Sequence, residues 1–119
     1  MSEFSFSRKE RIKKRTDYLA AYKNGHKFGT KHFKITVLNN KRHFRRLGIS
    51  ISKKTGNAVQ RNYVKRRLRE YFRLNKNLFP CNSDIIITAK PGAADKNYNE
   101  IKLEFDRLLP KIPCSEPIS

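Results

Sequence analysis

Between Lys53 and Lys76 the chain carries Lys65, Arg66, Arg69 and Arg73 at spacings that gather them on one side of a helix, with Asn62 among them and with Arg61 and Arg67 flanking the apolar stripe. Cations sharing a helix face repel one another unless acids are interspersed for i,i+4 pairing, and this segment holds a single acid, Glu70. A polyanion relieves that repulsion, because each phosphate that is neutralised releases a counterion. The chemistry indicated is binding of RNA or DNA, with Arg and Lys on phosphate and Asn62 as a neutral partner for phosphate or sugar. A merely solvated helix side is the bland alternative, and it leaves the missing acids unexplained. Immediately upstream, Ser52-Lys53-Lys54-Thr55-Gly56-Asn57 leads into the helix. Backbone N–H groups at a helix start bind phosphate where glycine lets the backbone come close. The stretch lacks the Walker pattern, so it is either a phosphate-backbone contact or a plain turn.

A second group has the chemistry of stacking. Tyr18 and Tyr22 stand at i,i+4 in a short helix, either as core or as a platform for unpaired bases, where each base is worth about 1 to 3 kcal/mol. Ser50 and Ser52 alternate with apolar residues in a strand and leave one of its faces low, with room for something bulky.

Residues for catalysis are thinly supplied. Glu100 and Glu104 share a helix face but read as a solvated side, with Lys96–Glu100 and Glu104–Arg107 as local pairs. His26, His32 and His43 have no Ser, Cys or carboxylate partner in the local sequence. We expect no catalytic side chain and no metal held by the protein.

Composition limits the function further. In 119 residues there are 28 Lys+Arg and 10 Asp+Glu, a net charge of +18 and a pI near 10.4. Residues 1–76 hold 23 of the bases and 4 acids, net +19, whereas residues 77–119 hold 5 bases and 6 acids, net −1. So polarised a charge creates a field that concentrates a polyanion, nucleic acid before membrane. A membrane-surface role needs an apolar face beside the charge, and Glu10–Arg15 offers only Ile12. The longest apolar run, Ile85 to Ile87 with Thr88 and Ala89, is far too short to span a bilayer. With 37% hydrophobic residues the core is modest, which disfavours a large buried substrate pocket. The start lacks a secretory apolar segment, and Cys81 and Cys114 read as two unpaired thiols. The expectation is a reduced, cytoplasmic protein.

The elements that must position these residues follow from periodicity. Thr16 and Asp17 are cap-type residues before a helix that Asn24-Gly25 ends, and a glycine-containing loop runs to Gly29. Phe33, Ile35 and Val37 alternate with polar residues as a strand, Asn39 to Arg46 is a turn, and Leu47, Ile49 and Ile51 form a second strand. Asn57 caps the basic helix, whose inner stripe is Val64, Leu68, Tyr71 and Phe72. Asp84 to Ala89 reads as a strand covered on both faces. Ile101, Phe105, Leu108 and Leu109 line a last helix from about Asn97, stopped by Pro110 and Pro113. Residues 1–113 read as a single RNA-binding domain, with 1–10 an extended arm and 114–119 a tail.

The run Lys53-Lys54-Thr55-Gly56-Asn57-Ala58-Val59-Gln60-Arg61-Asn62-Tyr63-Val64-Lys65-Arg66-Arg67-Leu68-Arg69 resembles the signature of the bacterial ribonuclease P protein subunit. Arg11 to Lys14 before Asp17-Tyr18, Gly48 to Lys53, and Asp84 to Ile87 extend the resemblance over roughly residues 8–110. It implies an α+β two-layer sandwich in αβββαβα order, with a four-stranded sheet and a left-handed βαβ crossover, the ribosomal protein S5 domain 2-like fold. It implies that catalysis resides in a partner RNA, which with Mg²⁺ bound mainly by RNA and substrate removes the 5′ leader of precursor tRNA. The partners implied are that catalytic RNA and precursor tRNA, with no membrane and no protein partner. By this resemblance Lys53, Lys54, Asn57, Arg61, Asn62, Lys65, Arg66, Arg69 and Arg73 contact RNA. Tyr18, Tyr22, Phe33, Thr36, Ser50 and Ser52 line a leader cleft, Thr36 standing where some relatives place another aromatic. Tyr63 occupies a position that is usually Arg, with Arg66 and Arg67 near enough to replace that contact. The competing readings are a ribosomal or RNA-assembly protein without a role in cleavage, and a stand-alone Mg²⁺ nuclease using Asp84 or Glu100.

Overall fold

A computed structural model describes residues 8–42 and 44–112. Its elements run α1 (Arg15–Asn24), β1 (His26–Gly29), β2 (Phe33–Asn39), β3 (Arg46–Ile51), α2 (Ala58–Leu74), β4 (Ser83–Ala89) and α3 (Tyr98–Leu108). The strands form one sheet in the order β1-β2-β4-β3, with β3 parallel to β4 and the other pairings antiparallel. Parallel neighbours need a long crossover, and α2 provides it between β3 and β4. The αβββαβα order and α+β class agree with expectation.

Alternation along the strands divides the molecule into two layers. Ile35, Leu47, Ile85 and Ile87 face a main core completed by Val64, Leu68, Tyr71 and Phe72 of α2 and by Ile101, Phe105 and Leu108 of α3. Ile86, on the other face of β4, joins Ile12 and Ala21 in a smaller cluster beneath α1. The continuous Ile85–Ile87 run is therefore buried on both sides, as its composition suggested.

Several boundaries differ from the sequence reading. His26–Gly29 is a strand rather than a loop; it is short, mostly exposed and paired only with β2, so it carries no alternating apolar signal. Strand pairing extends to Asn39 and resumes at Arg46, which confines the turn to the residues between them. The N-cap of α1 is Lys14, without a side-chain cap bond, and Thr16 and Asp17 lie inside its first turn. Arg8–Glu10 is a 3₁₀ turn, not extended, and Glu10 is buried and paired with Lys76 at 2.7 Å. Arg11 then bridges to Leu47 beside the edge strand β3. Cys81 is not free, which corrects its reading as an unpaired thiol. Residues 1–7 of the expected arm, His43, Cys114 and the expected tail at 114–119 lie outside the described residues.

Ion pairs join the layers. Arg46 and Asp84 are register partners across β3 and β4, and Arg46 donates to both Asp84 oxygens at 2.8 and 2.6 Å. Asn40 donates to Asp84 at 2.8 Å, and Asp17 of α1 reaches Arg46 at 3.4 Å. On the opposite layer, the His32 backbone N–H donates to Glu104 at 3.1 Å, and His32 Nδ1 lies 2.6 Å from the same carboxylate. Burial pushes the Glu104 carboxyl up, but hydrogen bonds from Thr30 and His32 outweigh it and hold the group below its ordinary value of 4.5. A depressed carboxyl gives stability that is complete above its unfolded pKa and is lost as pH falls through the folded value. Urea titrations from about pH 5 downward should therefore show falling stability, and Glu104→Gln should flatten that acid limb. An unchanged limb would mean that the pair contributes nothing to folding.

Candidate nucleic-acid interface

The basic helix begins with a reciprocal cap. The Asn57 side chain accepts from the Gln60 N–H at 2.9 Å, and the Gln60 side chain accepts from the Asn57 N–H at 2.9 Å. Gly56 precedes it at φ 152°, and a methyl there would meet Gln60 Oε1 at 2.3 Å, so glycine is what allows the cap to close. Asn57 is thus engaged in holding the helix start. Lys53 and Lys54, on the 3₁₀ turn before it, are exposed.

Once α2 is seated by its buried stripe, its basic side is fixed in orientation. Asn62, Arg66 and Arg69 are exposed, and Arg61, Lys65 and Arg73 are half-buried along the edges. The Arg61 Nε is buried without a hydrogen-bond partner. Glu70 is paired within the helix, 3.7 Å from Arg67, and so does not neutralise the outward cations.

Lys65 and Arg69 also line a cleft of about 330 Å³, together with Arg11 and Lys13 of the N-terminal segment and Tyr18 of α1. The Tyr18 ring lies directly on Gly48 of β3, where an added methyl would come within 2.8 to 2.9 Å of its ring atoms. The bulky group anticipated over the low face of that strand is thus in part Tyr18 itself. Burial pushes its phenol up, and the charge of Arg69 works against that shift. Tyr22 follows at a ring-centroid distance of 6.4 Å, half-buried against the small cluster.

Beyond these rings the register creates a polar floor. Ser50 pairs with Thr88, Thr88 with Lys34, and Lys34 with Gly29, one row crossing all four strands. Alternation places this row on the side of Ile86, the α1 side, and its three side chains are half-buried. Thr88 and Lys34 were missed by sequence reasoning, since only strand pairing brings them beside Ser50. Ser52 lies beyond the end of β3 and is exposed.

Two expected cleft residues are corrected. Phe33 is fully buried on the opposite face of the sheet, its ring centroid 5.0 Å from that of Phe105, and no ligand can reach it without opening the core. Thr36 is on the α1 side but also fully buried, beneath the end of α1, where its methyl would lie 2.9 Å from a Cβ added at Gly25.

Four of the carboxylates are committed elsewhere. Glu100 completes the cap of α3 and pairs with Lys96, Glu104 holds His32, and Asp106 accepts from Tyr71 and Lys102. Asp84 is occupied by Arg46. Among the described residues no three His, Cys, Asp or Glu side chains converge as a metal site, and no helix is long and apolar enough to cross a membrane.

Comparison with known proteins gives a consistent result. The Ribonuclease P family profile matches residues 6–113. The chain is 44% identical over 113 residues to the ribonuclease P protein component of Syntrophus aciditrophicus (strain SB), covering 95% of each. It is 39% identical to that of Desulforapulum autotrophicum, covering 98% of this chain and 99% of the relative. The solved Staphylococcus aureus RNase P protein superposes with a TM-score of 0.79 at 40% identity, over 86% of this chain and 94% of that one. The Thermotoga maritima RNase P protein gives 0.80 at 30% identity, over 87% and 98%. Matched in sequence and in fold over most of its length, the chain belongs to the ribonuclease P protein family.

Proposed function

We propose that the chain is the protein subunit of a cytoplasmic bacterial ribonuclease P ribonucleoprotein, which removes the 5′ leader from precursor tRNA. In this reading α2 and the Lys53–Thr55 turn bind the catalytic RNA through phosphate and sugar, which demands cations and hydrogen-bond donors more than base readout. The single-stranded leader runs past Tyr18 and Tyr22 over the Ser50-Thr88-Lys34 floor, with bases on the aromatic rings and backbone near the cations. The observation that carries the reading is that the unneutralised side of α2 opens into the same cleft as Tyr18, joining a phosphate-binding surface to a stacking one.

Magnesium fits the RNA and substrate better than this chain. A protein-held ion needs several converging oxygens, and the carboxylates described above are each paired with a cation or a cap. The protein's contribution is then to bind and orient the two RNAs.

Tyr22 tests the leader path. In the assembled holoenzyme, Tyr22→Ala should weaken binding of leader-bearing precursor tRNA by about 1 to 3 kcal/mol and leave mature tRNA nearly unaffected. Equal losses for both ligands would return Tyr22 to a packing role.

A further inference from the structure

On the flank of α2 away from the Lys65–Arg69 cleft, the structure builds a second cationic feature. The Tyr63 hydroxyl donates to the Lys96 carbonyl at 3.3 Å, fixing the ring against the segment that leads into α3. The Arg67 guanidinium lies over that ring, 4.7 Å from its centroid. Its Nε is buried without a hydrogen-bond partner, and one terminal nitrogen approaches Glu70 at 3.7 Å. The side chain as a whole remains 34% exposed. A guanidinium stacked on an aromatic face loses little freedom when its outer N–H groups meet phosphate, because the plane is already fixed.

We propose that Arg67 is a phosphate-binding residue of the RNA interface and that Tyr63 is its positioning residue, extending the RNA footprint of α2 around to the α3 flank. The proposal rests on the reading of α2 as an RNA-binding helix. It explains why an aromatic residue is compatible with position 63: the cation is supplied from one turn later, and the ring holds it. Of the two arginines near enough to replace a base at 63, the geometry selects Arg67, since it is the one seated on the ring.

The test is binding of a bacterial ribonuclease P RNA to the full chain across a salt series, with thermal unfolding recorded for every variant. Arg67→Ala should lower the slope of log affinity against log salt by about 0.9, one phosphate contact on the duplex scale. Tyr63→Leu should weaken binding about two- to fivefold, the range of an exposed cation–π contact, and cause no further loss when Arg67 is already Ala. Tyr63→Phe, which keeps the ring, should stay close to the parent. Arg67→Lys keeps the charge but loses the planar stack, so it should retain the slope and lose affinity by a similar factor even if Tyr63→Leu does not fold. A normal slope for Arg67→Ala, with a lowered slope for the double variant Arg61→Ala/Lys65→Ala, would overturn this proposal and leave the RNA-binding reading standing. Normal slopes for both would overturn the reading itself. Losses at Tyr63 and Arg67 that simply add, or Arg67→Lys binding like the parent, would reduce Tyr63 to a core residue.

Discussion

Asp84→Ala is expected to destabilise the protein by about 3 to 5 kcal/mol, measured as the shift in a urea unfolding curve at neutral pH. Asp84 and Arg46 are both buried, and Arg46 places two N–H groups on the two Asp84 oxygens. Removing the carboxylate strands a guanidinium between β3 and β4, and the remaining partner, Asp17 at 3.4 Å, comes from α1 at the periphery. The Asn40 amide loses the shorter of its two acceptors at the same time and keeps the Phe44 carbonyl at 3.3 Å. Since a domain of this size has a total stability of only about 5 to 15 kcal/mol, the change removes a large share of it. A loss below about 1 kcal/mol would show that the pair is not desolvated as the geometry requires. The stand-alone nuclease reading gave Asp84 a catalytic role, whereas the structure gives it a structural one, locking the register of the two parallel strands.

The second large effect is on RNA. The double variant Arg61→Ala/Lys65→Ala should reduce the salt dependence of ribonuclease P RNA binding by about 0.9 per lost phosphate contact, about 1.8 in all. Between low and physiological salt that difference alone separates the variant from its parent by about an order of magnitude. Both side chains are only half-buried and neither has an acid partner among the described contacts, so stability should change by no more than about 0.5 kcal/mol per site. The two readouts therefore separate: Asp84 moves the unfolding curve, and the helix cations move the salt slope. An unchanged slope in a folded variant would place the RNA elsewhere on the molecule.

What the sequence revealed, and what it hid, has a physical pattern. The long helix was legible because its two sides obey one period: Val64, Leu68, Tyr71 and Phe72 all proved buried, Asn57 proved to be its cap, and the last helix does start at Asn97. The alternation in β2 and β3 was equally clear, but alternation states that a strand has two faces without stating which one meets a ligand. That is why Phe33 was placed in the cleft although it packs on Phe105 in the core. The floor residues Thr88 and Lys34 depend on a register between distant strands, which local pattern does not encode. The same holds for His32, whose carboxylate partner lies 72 residues away. β1 was invisible because an exposed edge strand of four residues has too little burial to impose a pattern.

We propose that this chain assists a catalytic RNA and does not cleave by itself. The direct measurement is cleavage of a precursor tRNA bearing a 5′ leader at low Mg²⁺, with the protein alone, a bacterial ribonuclease P RNA alone, and the two together. Leader removal is expected in the mixture, with little from the RNA alone at that Mg²⁺ and none from the protein alone. Cleavage by the protein alone, or a mixture no faster than the RNA, would contradict it.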